Sequence, residues 1–168
     1  MGELIRGLIL DPKSQGIFDL TELLLYAASR AQHVNELLKP SISKGYHVVC
    51  DRYSGSTWAY QGYGRKIDLG LVAKVTQIAA DGCEPDLTIY LHLPSGIASE
   101  RRSKRGSEPD RLELVGEVFQ ERVASGYRDL ASRDKVKGLV VKGEKSVEAV
   151  ENEIWEELTK RWPDFPNA

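Results

Sequence analysis

Three groups of side chains in this sequence have types and spacings that could do chemistry. Asp51-Arg52 directly follows the apolar run Tyr46-His47-Val48-Val49-Cys50. An arginine there can grip a phosphate with its forked guanidinium, and the neighbouring aspartate can orient it or hold a hydrated Mg²⁺. A salt-bridged strand end has the same appearance, and spacing alone does not choose between the two. Tyr26 and Arg30 stand one helical turn apart, so a ring and a guanidinium share a face. That pair suits a planar base, the ring stacking and the arginine bonding to a carbonyl edge. Equally, Tyr26 could belong to an apolar stripe with Arg30 in solvent. Finally, Arg101, Arg102, Lys104, Arg105 and Arg111 put five cations within eleven residues, around Gly106 and Pro109. A mobile cationic loop can close over phosphates and neutralise charge as it develops, although a solvated surface run reads the same way.

The elements that must position these groups follow from periodicity and punctuation. Leu20, Leu23, Leu24, Ala27, Ala28, Ala31, Val34, Leu37 and Leu38 keep helical spacing, and Asp19 with Glu22 fits a capping box at the start. Pro40 should kink or end this helix. Residues 46–50 read as a buried strand, 53–66 as loop with a short helix, and 68–81 as a helix capped by Asp68 and stopped at Gly82. Residues 87–93 form the next strand, followed by a helix near 95–103 and a polar loop over 104–110. A long helix to about 133, a short strand at 139–141, a helix near 146–160 and a loose tail from Trp162 complete the chain. Strands alternating with helices imply an α/β fold with a parallel sheet and helices on both faces. Ligands then bind at the carboxyl ends of the strands, which directs attention to Asp51-Arg52, to Pro94 and to Lys142-Gly143.

Composition narrows the class. The chain has 168 residues, the size of one ordinary domain, with 41% hydrophobic and 29% charged residues. Its 23 basic and 25 acidic side chains give a net charge of −2, so no global field points to nucleic acid or an anionic membrane. No apolar run approaches a membrane span, and the N-terminus is unlike a secretory signal. Cys50 and Cys83 lack metal-ligand spacing and read as reduced thiols of a cytoplasmic protein. A phosphate-handling enzyme of this architecture should carry a glycine-rich loop, GxxxxGK(S/T), and the sequence contains none. The nearest imitation, Gly138 to Ser146, inserts Glu144 before the lysine and puts Val140-Val141 where a loop is needed, so it reads as strand followed by helix start.

Taken together, the motifs resemble those of bacterial thymidylate kinases. Tyr26-Ala27-Ala28-Ser29-Arg30-Ala31-Gln32-His33 is similar to the family's (F/Y)AADRAQH, with Ser29 in place of the usual Asp. The stretch from Asp51 to Arg65 resembles DRYxxSTxAYQGxGR, and Pro85-Asp86-Leu87-Thr88 and Asp110-Arg111-Leu112-Glu113 resemble PDLT and DR(I/F/L)E. The resemblance covers essentially the whole chain. It implies a P-loop NTPase-type nucleoside monophosphate kinase fold over 1–168, with a lid at about 101–112. It also implies transfer of the γ-phosphoryl group of ATP to dTMP, giving dTDP, with Mg²⁺. Tyr26 would stack on thymine and Arg30 would bond to its carbonyl edge. Arg52 would hold the dTMP phosphate, with Asp51 beside the metal. Ser56 and Thr57 would complete the base pocket, Tyr60 would pack on the deoxyribose, and Gln61 would contact the nucleotide nearby. Arg105 and Arg101 would belong to the lid that closes on ATP, and a homodimer is implied.

Gly2-Glu3-Leu4-Ile5-Arg6 matches the segment just after the family's REPGGT motif. The resemblance therefore places the first strand, the phosphate loop and REPGGT ahead of this chain, and the chain alone is expected to have little or no kinase activity. Two other readings stay open: a non-catalytic dTMP-binding or regulatory remnant or dimerising pseudoenzyme, and a product that never folds.

Overall fold

A computed structural model describes residues 1–165 except 105 and 107, without the side chains of 95, 99 and 102. The chain divides into two compact units, Met1–Pro85 with Glu108–Arg133, and Asp86–Ser107 with Asp134–Ala168.

The first unit is helical. Helix α1 (Gly2–Leu10) was not anticipated from periodicity, and it buries Ile9. Ser29 donates to the carbonyl of Gly2 at 3.1 Å, tying α1 to α2 (Asp19–His33). The Ser29 departure from the family pattern thus faces a neighbouring helix. The apolar spacing of α2 is realised by Leu23 and Ala27, and continues to Val34 and Leu38 beyond it. Full burial of a side chain such as Leu23 is worth roughly 1.5–3 kcal/mol.

Two expectations about this helix are corrected. The capping box does not form: Phe18 is the N-cap without a side-chain bond, and Glu22 turns into the interior, where two arginines compete for its carboxylate. Nor does Pro40 end the helix. The turns widen over Val34–Leu38, with Lys39 N–H bonding to Val34 O, and α3 (Lys39–Ser43) follows with Pro40 in its first turn. Proline has no N–H for the carbonyl four residues back, and the wide turn shifts the pairing around that gap.

The expected strand at 46–50 is absent. Among the described residues the only ladder joins two strands of the second unit, and Val49 is 97% exposed, with Tyr46 and Val48 also exposed. Apolar β-branched residues are drawn into a strand only where a partner completes the ladder.

The short helix expected within 53–66 is present as α4 (Ser54–Thr57), but the loop expected around it is largely helical too, α4 running into wide turns over Trp58–Gly64. Asp68 caps α5 (Leu69–Ala80) by accepting from Leu71 N–H, and Asp81 ends it in the left-handed conformation. Residues 113–115 form a single 3₁₀ turn, so the long helix expected after 110 begins only at Glu117.

The second unit holds the sheet, reduced to two parallel strands. Strand β1 (Thr88–His92) pairs in register with β2 (Gly138–Lys142), Thr88 opposite Gly138 and His92 opposite Lys142. Helix α6 (Ser95–Lys104) follows β1, and α7 (Glu117–Arg133) belongs to the first unit. Ser146 caps α8 (Val147–Arg161), accepting from Ala149 N–H at 3.3 Å. Residues 138–146 are therefore strand, turn and helix start, as their sequence implied. The tail is not loose as far as Phe165, whose ring meets Trp155 edge-on at 5.9 Å. No described helix is long and apolar enough to cross a membrane, and both cysteines are free.

Candidate functional site

The site lies in the first unit, where one face of α2 meets the segment 52–65 and α7. Glu22, Tyr26 and Arg30 succeed one another at four-residue intervals, so they form a single stripe along α2.

At the Arg30 end, one guanidinium nitrogen donates to the carbonyl of Tyr53 at 3.0 Å and to Thr57 Oγ1 at 2.8 Å. The guanidinium also lies 5.2 Å from the centre of the Tyr53 ring. Its other terminal nitrogen, Nη1, is buried and has no hydrogen-bond partner, as does Ser54 Oγ. Leaving such a group unsatisfied costs about 1–3 kcal/mol. A ligand acceptor reaching Nη1 would remove that cost.

Burial pushes the phenols of Tyr26 and Tyr53 up to about 12, so both are protonated at neutral pH. Tyr53 uses its proton on the carbonyl of Cys83 at 2.8 Å. Tyr26 packs with Tyr60 and Tyr127 against the buried cluster of Ala59, Leu112, Phe119 and Val123. The Tyr60 ring stands edge-on to Phe119 at 6.1 Å and to Tyr127 at 6.3 Å. Arg52 lies over the Tyr60 ring at 5.5 Å and donates to its hydroxyl at 3.3 Å. Its backbone is left-handed, with φ of 65°, a conformation that costs a non-glycine residue on the order of 1 kcal/mol or more. Ser56 Oγ and Tyr127 OH share a hydrogen bond of 2.8 Å.

The structure gathers Tyr26, Tyr60, Arg52 and Ser56 around one aromatic cluster, and pairs Arg30 with Thr57. Asp51 is exposed, next to Arg52 in the chain. Arg101 is exposed on α6, in the second unit, and Arg105 lies outside the described residues. Tyr127 was missed, although its spacing from Phe119 and Val123, at i, i+4 and i+8, marks one face of α7.

Gln61 is buried, and its amide donates to Glu22 at 2.8 Å. Arg111, grouped by sequence with the cationic lid, is corrected: it is 5% exposed and donates to Glu22 at 2.5 Å and to the carbonyl of Ile9 at 2.7 Å. Arg65 completes this cluster, its guanidinium reaching Glu22 at 2.9 Å. Burial opposes ionisation of Glu22, but the hydrogen bonds from Arg65, Gln61 and Arg111 outweigh it and hold the carboxyl below its ordinary range. Among the described residues no three His, Cys, Asp or Glu side chains converge as a metal site.

The thymidylate kinase family model matches residues 1–154. The chain belongs to the thymidylate kinase family. A thymidylate kinase of Solidesulfovibrio magneticus is 39% identical over 161 residues, covering 92% of this chain and 77% of its own length. That of Deinococcus radiodurans is 40% identical over 161 residues, covering 96% of this chain and 77% of its own length. That of Gloeobacter violaceus is 43% identical over 155 residues, covering 92% and 73%. Membership in the thymidylate kinase family makes this chain part of a group of nucleoside monophosphate kinases and implies the P-loop NTPase fold. The α/β character of the second unit agrees with that fold. In the thymidylate kinase motif from Asp51 to Arg65, Gly64 allows a close approach, because a Cβ there would lie 2.6 Å from the Phe119 ring.

Proposed function

We propose that the first unit binds dTMP and that the chain serves the transfer of the γ-phosphoryl group of ATP to it. In that reaction the bond from the γ-phosphorus to the β–γ bridging oxygen breaks. A new bond forms to a phosphate oxygen of dTMP, giving dTDP and ADP. The observation that carries the reading is Arg30, one helical turn from Tyr26, whose buried Nη1 has no hydrogen-bond partner and would donate to a carbonyl oxygen. Thymine would stack on Tyr26, with Ser56 and Thr57 closing the pocket. Tyr60 would pack on the deoxyribose, and Arg52, leaning on Tyr60, would hold the phosphate. Gln61, expected to contact the nucleotide near Tyr60, is buried with its amide on Glu22 and would contribute by holding that carboxylate.

Arg101 and Arg105 would supply the lid charge on ATP. Mg²⁺ binds phosphates with few protein ligands and keeps several waters, so a single exposed carboxylate such as Asp51 fits a place beside it. The metal, when bound, would neutralise phosphate charge. Soluble nucleotides, rather than nucleic acid or membrane, would be the partners of a cytoplasmic protein. The exposed leucines of α1 and α2 favour a homodimer.

The sequence has no GxxxxGK(S/T) loop to cradle the ATP phosphates, and residues 46–49 are exposed. These two observations favour a second reading for the isolated chain, a dTMP-binding remnant or dimerising pseudoenzyme without turnover. Calorimetry with dTMP and an assay for dTDP with ATP and Mg²⁺ test both readings. Heat of binding without dTDP is the expected outcome. Absence of any dTMP binding would sink the site, and dTDP formation by this chain alone would sink the claim of inactivity.

A further inference from the structure

The buried ion cluster is joined to the substrate face by a continuous line of contacts. Glu22 is 0% exposed and receives hydrogen bonds from Arg65, Arg111 and Gln61. Arg65 also meets Asp19 at 3.3 Å on its outer side. The same guanidinium lies 4.9 Å from the centre of the Phe119 ring. Phe119 stands edge-on to Tyr60, and Tyr60 supports Arg52 both through its ring and through its hydroxyl. Each link has a defined geometry, because ring edges and guanidinium planes attract only in certain orientations. A buried carboxylate that fixes one end of such a line restricts the rotamers available at the other end.

We propose that Arg65, locked by Glu22, is a positioning residue that sets the Tyr60 ring through Phe119 and so holds the Arg52 guanidinium where a nucleotide phosphate arrives. This rests on the dTMP reading of the site. A residue that merely supported the fold would affect binding of base, sugar and phosphate alike. The line from Arg65 leads instead to Arg52, and Arg30 is held by other partners, Tyr53 and Thr57. Its loss should therefore weaken the phosphate contribution selectively.

The test compares dTMP with thymidine, which lacks the phosphate, by calorimetry on the full chain. Arg65→Lys keeps a cation for Glu22 but loses the planar fork over Phe119. Phe119→Leu removes the ring and leaves the ion cluster intact. In both variants the preference for dTMP over thymidine should fall about tenfold, the scale of one loosened charge-assisted hydrogen bond, while thymidine, which meets Tyr60 only through its sugar, weakens less than dTMP. Thermal melting of each variant identifies any that is unfolded, and the folded ones decide the outcome.

An unchanged dTMP-to-thymidine ratio in the Arg65 and Phe119 variants, or equal weakening of both ligands, would overturn the proposal. A wild-type chain that binds neither ligand would instead refute the reading of the site. The two failures are therefore distinguishable.

Discussion

At the scale of single residues, Glu22 dominates the physics of the first unit. A carboxylate with no exposure persists as an ion only because three hydrogen-bond donors compensate its desolvation. The groups facing it are Arg65, Arg111, Gln61 and, one turn along α2, Tyr26, with Asp19 on the far side of Arg65. Its folded pKa is lowered from 4.5, so the stability it confers is complete above that value and is lost as pH falls through the lower folded value. Thermal melts from neutral pH to about pH 3.5 should show the wild type losing stability more steeply in acid than Glu22→Gln. At neutral pH the variant should be about 3–5 kcal/mol less stable in urea unfolding, since two guanidiniums lose their counter-charge. An acid limb in the variant as steep as that of the wild type would show that Glu22 is not the acid-sensitive element. The sequence did not disclose this role. Asp19 and Glu22 fit a local capping pattern, and nothing local signals that Arg65 and Arg111 will arrive from distant segments to bind the carboxylate.

At the scale of elements, legibility followed locality. Helix α5 was readable because Asp68 at its start and Gly82 past its end act within a few residues of the helix. Strands β1 and β2 were readable because each is a short apolar run that found the other. Residues 46–50 are a similar short apolar run but form no strand, since ladder formation depends on a partner and not on the run itself. The Tyr26 and Arg30 face was legible from spacing, whereas the grouping of Arg111 with the lid failed because the fold divides the cationic run between two units. The junction of Trp58–Gly64 with α7 offers a direct test of packing. Gly64→Ala would bring a methyl to 2.6 Å from one Phe119 atom and 2.9 Å from Val123, both on buried side chains. Overpacking of that kind costs about 1–3 kcal/mol, so the urea midpoint should fall without a change in slope.

At the scale of the whole molecule, the first unit exposes several large apolar side chains on its first two helices. Leu4 and Leu8 on α1 are 72% and 54% exposed, and Leu20 and Leu24 on α2 are 52% and 51% exposed. Such a surface on two helices packed together suits association with a second copy. Sedimentation should find the wild type dimeric and Leu24→Glu monomeric. A Leu24→Glu chain that remains dimeric would place the contact elsewhere.

The left-handed backbone at Arg52 has a consequence for how this protein can change. A glycine at that position would accept φ of 65° without penalty, so selection for thermal tolerance alone would favour discarding the side chain proposed to hold the phosphate. Persistence of arginine there over many generations would therefore record selection on ligand binding. Heat-adapted or laboratory-hardened descendants that had lost it would retain the fold and forfeit the anion.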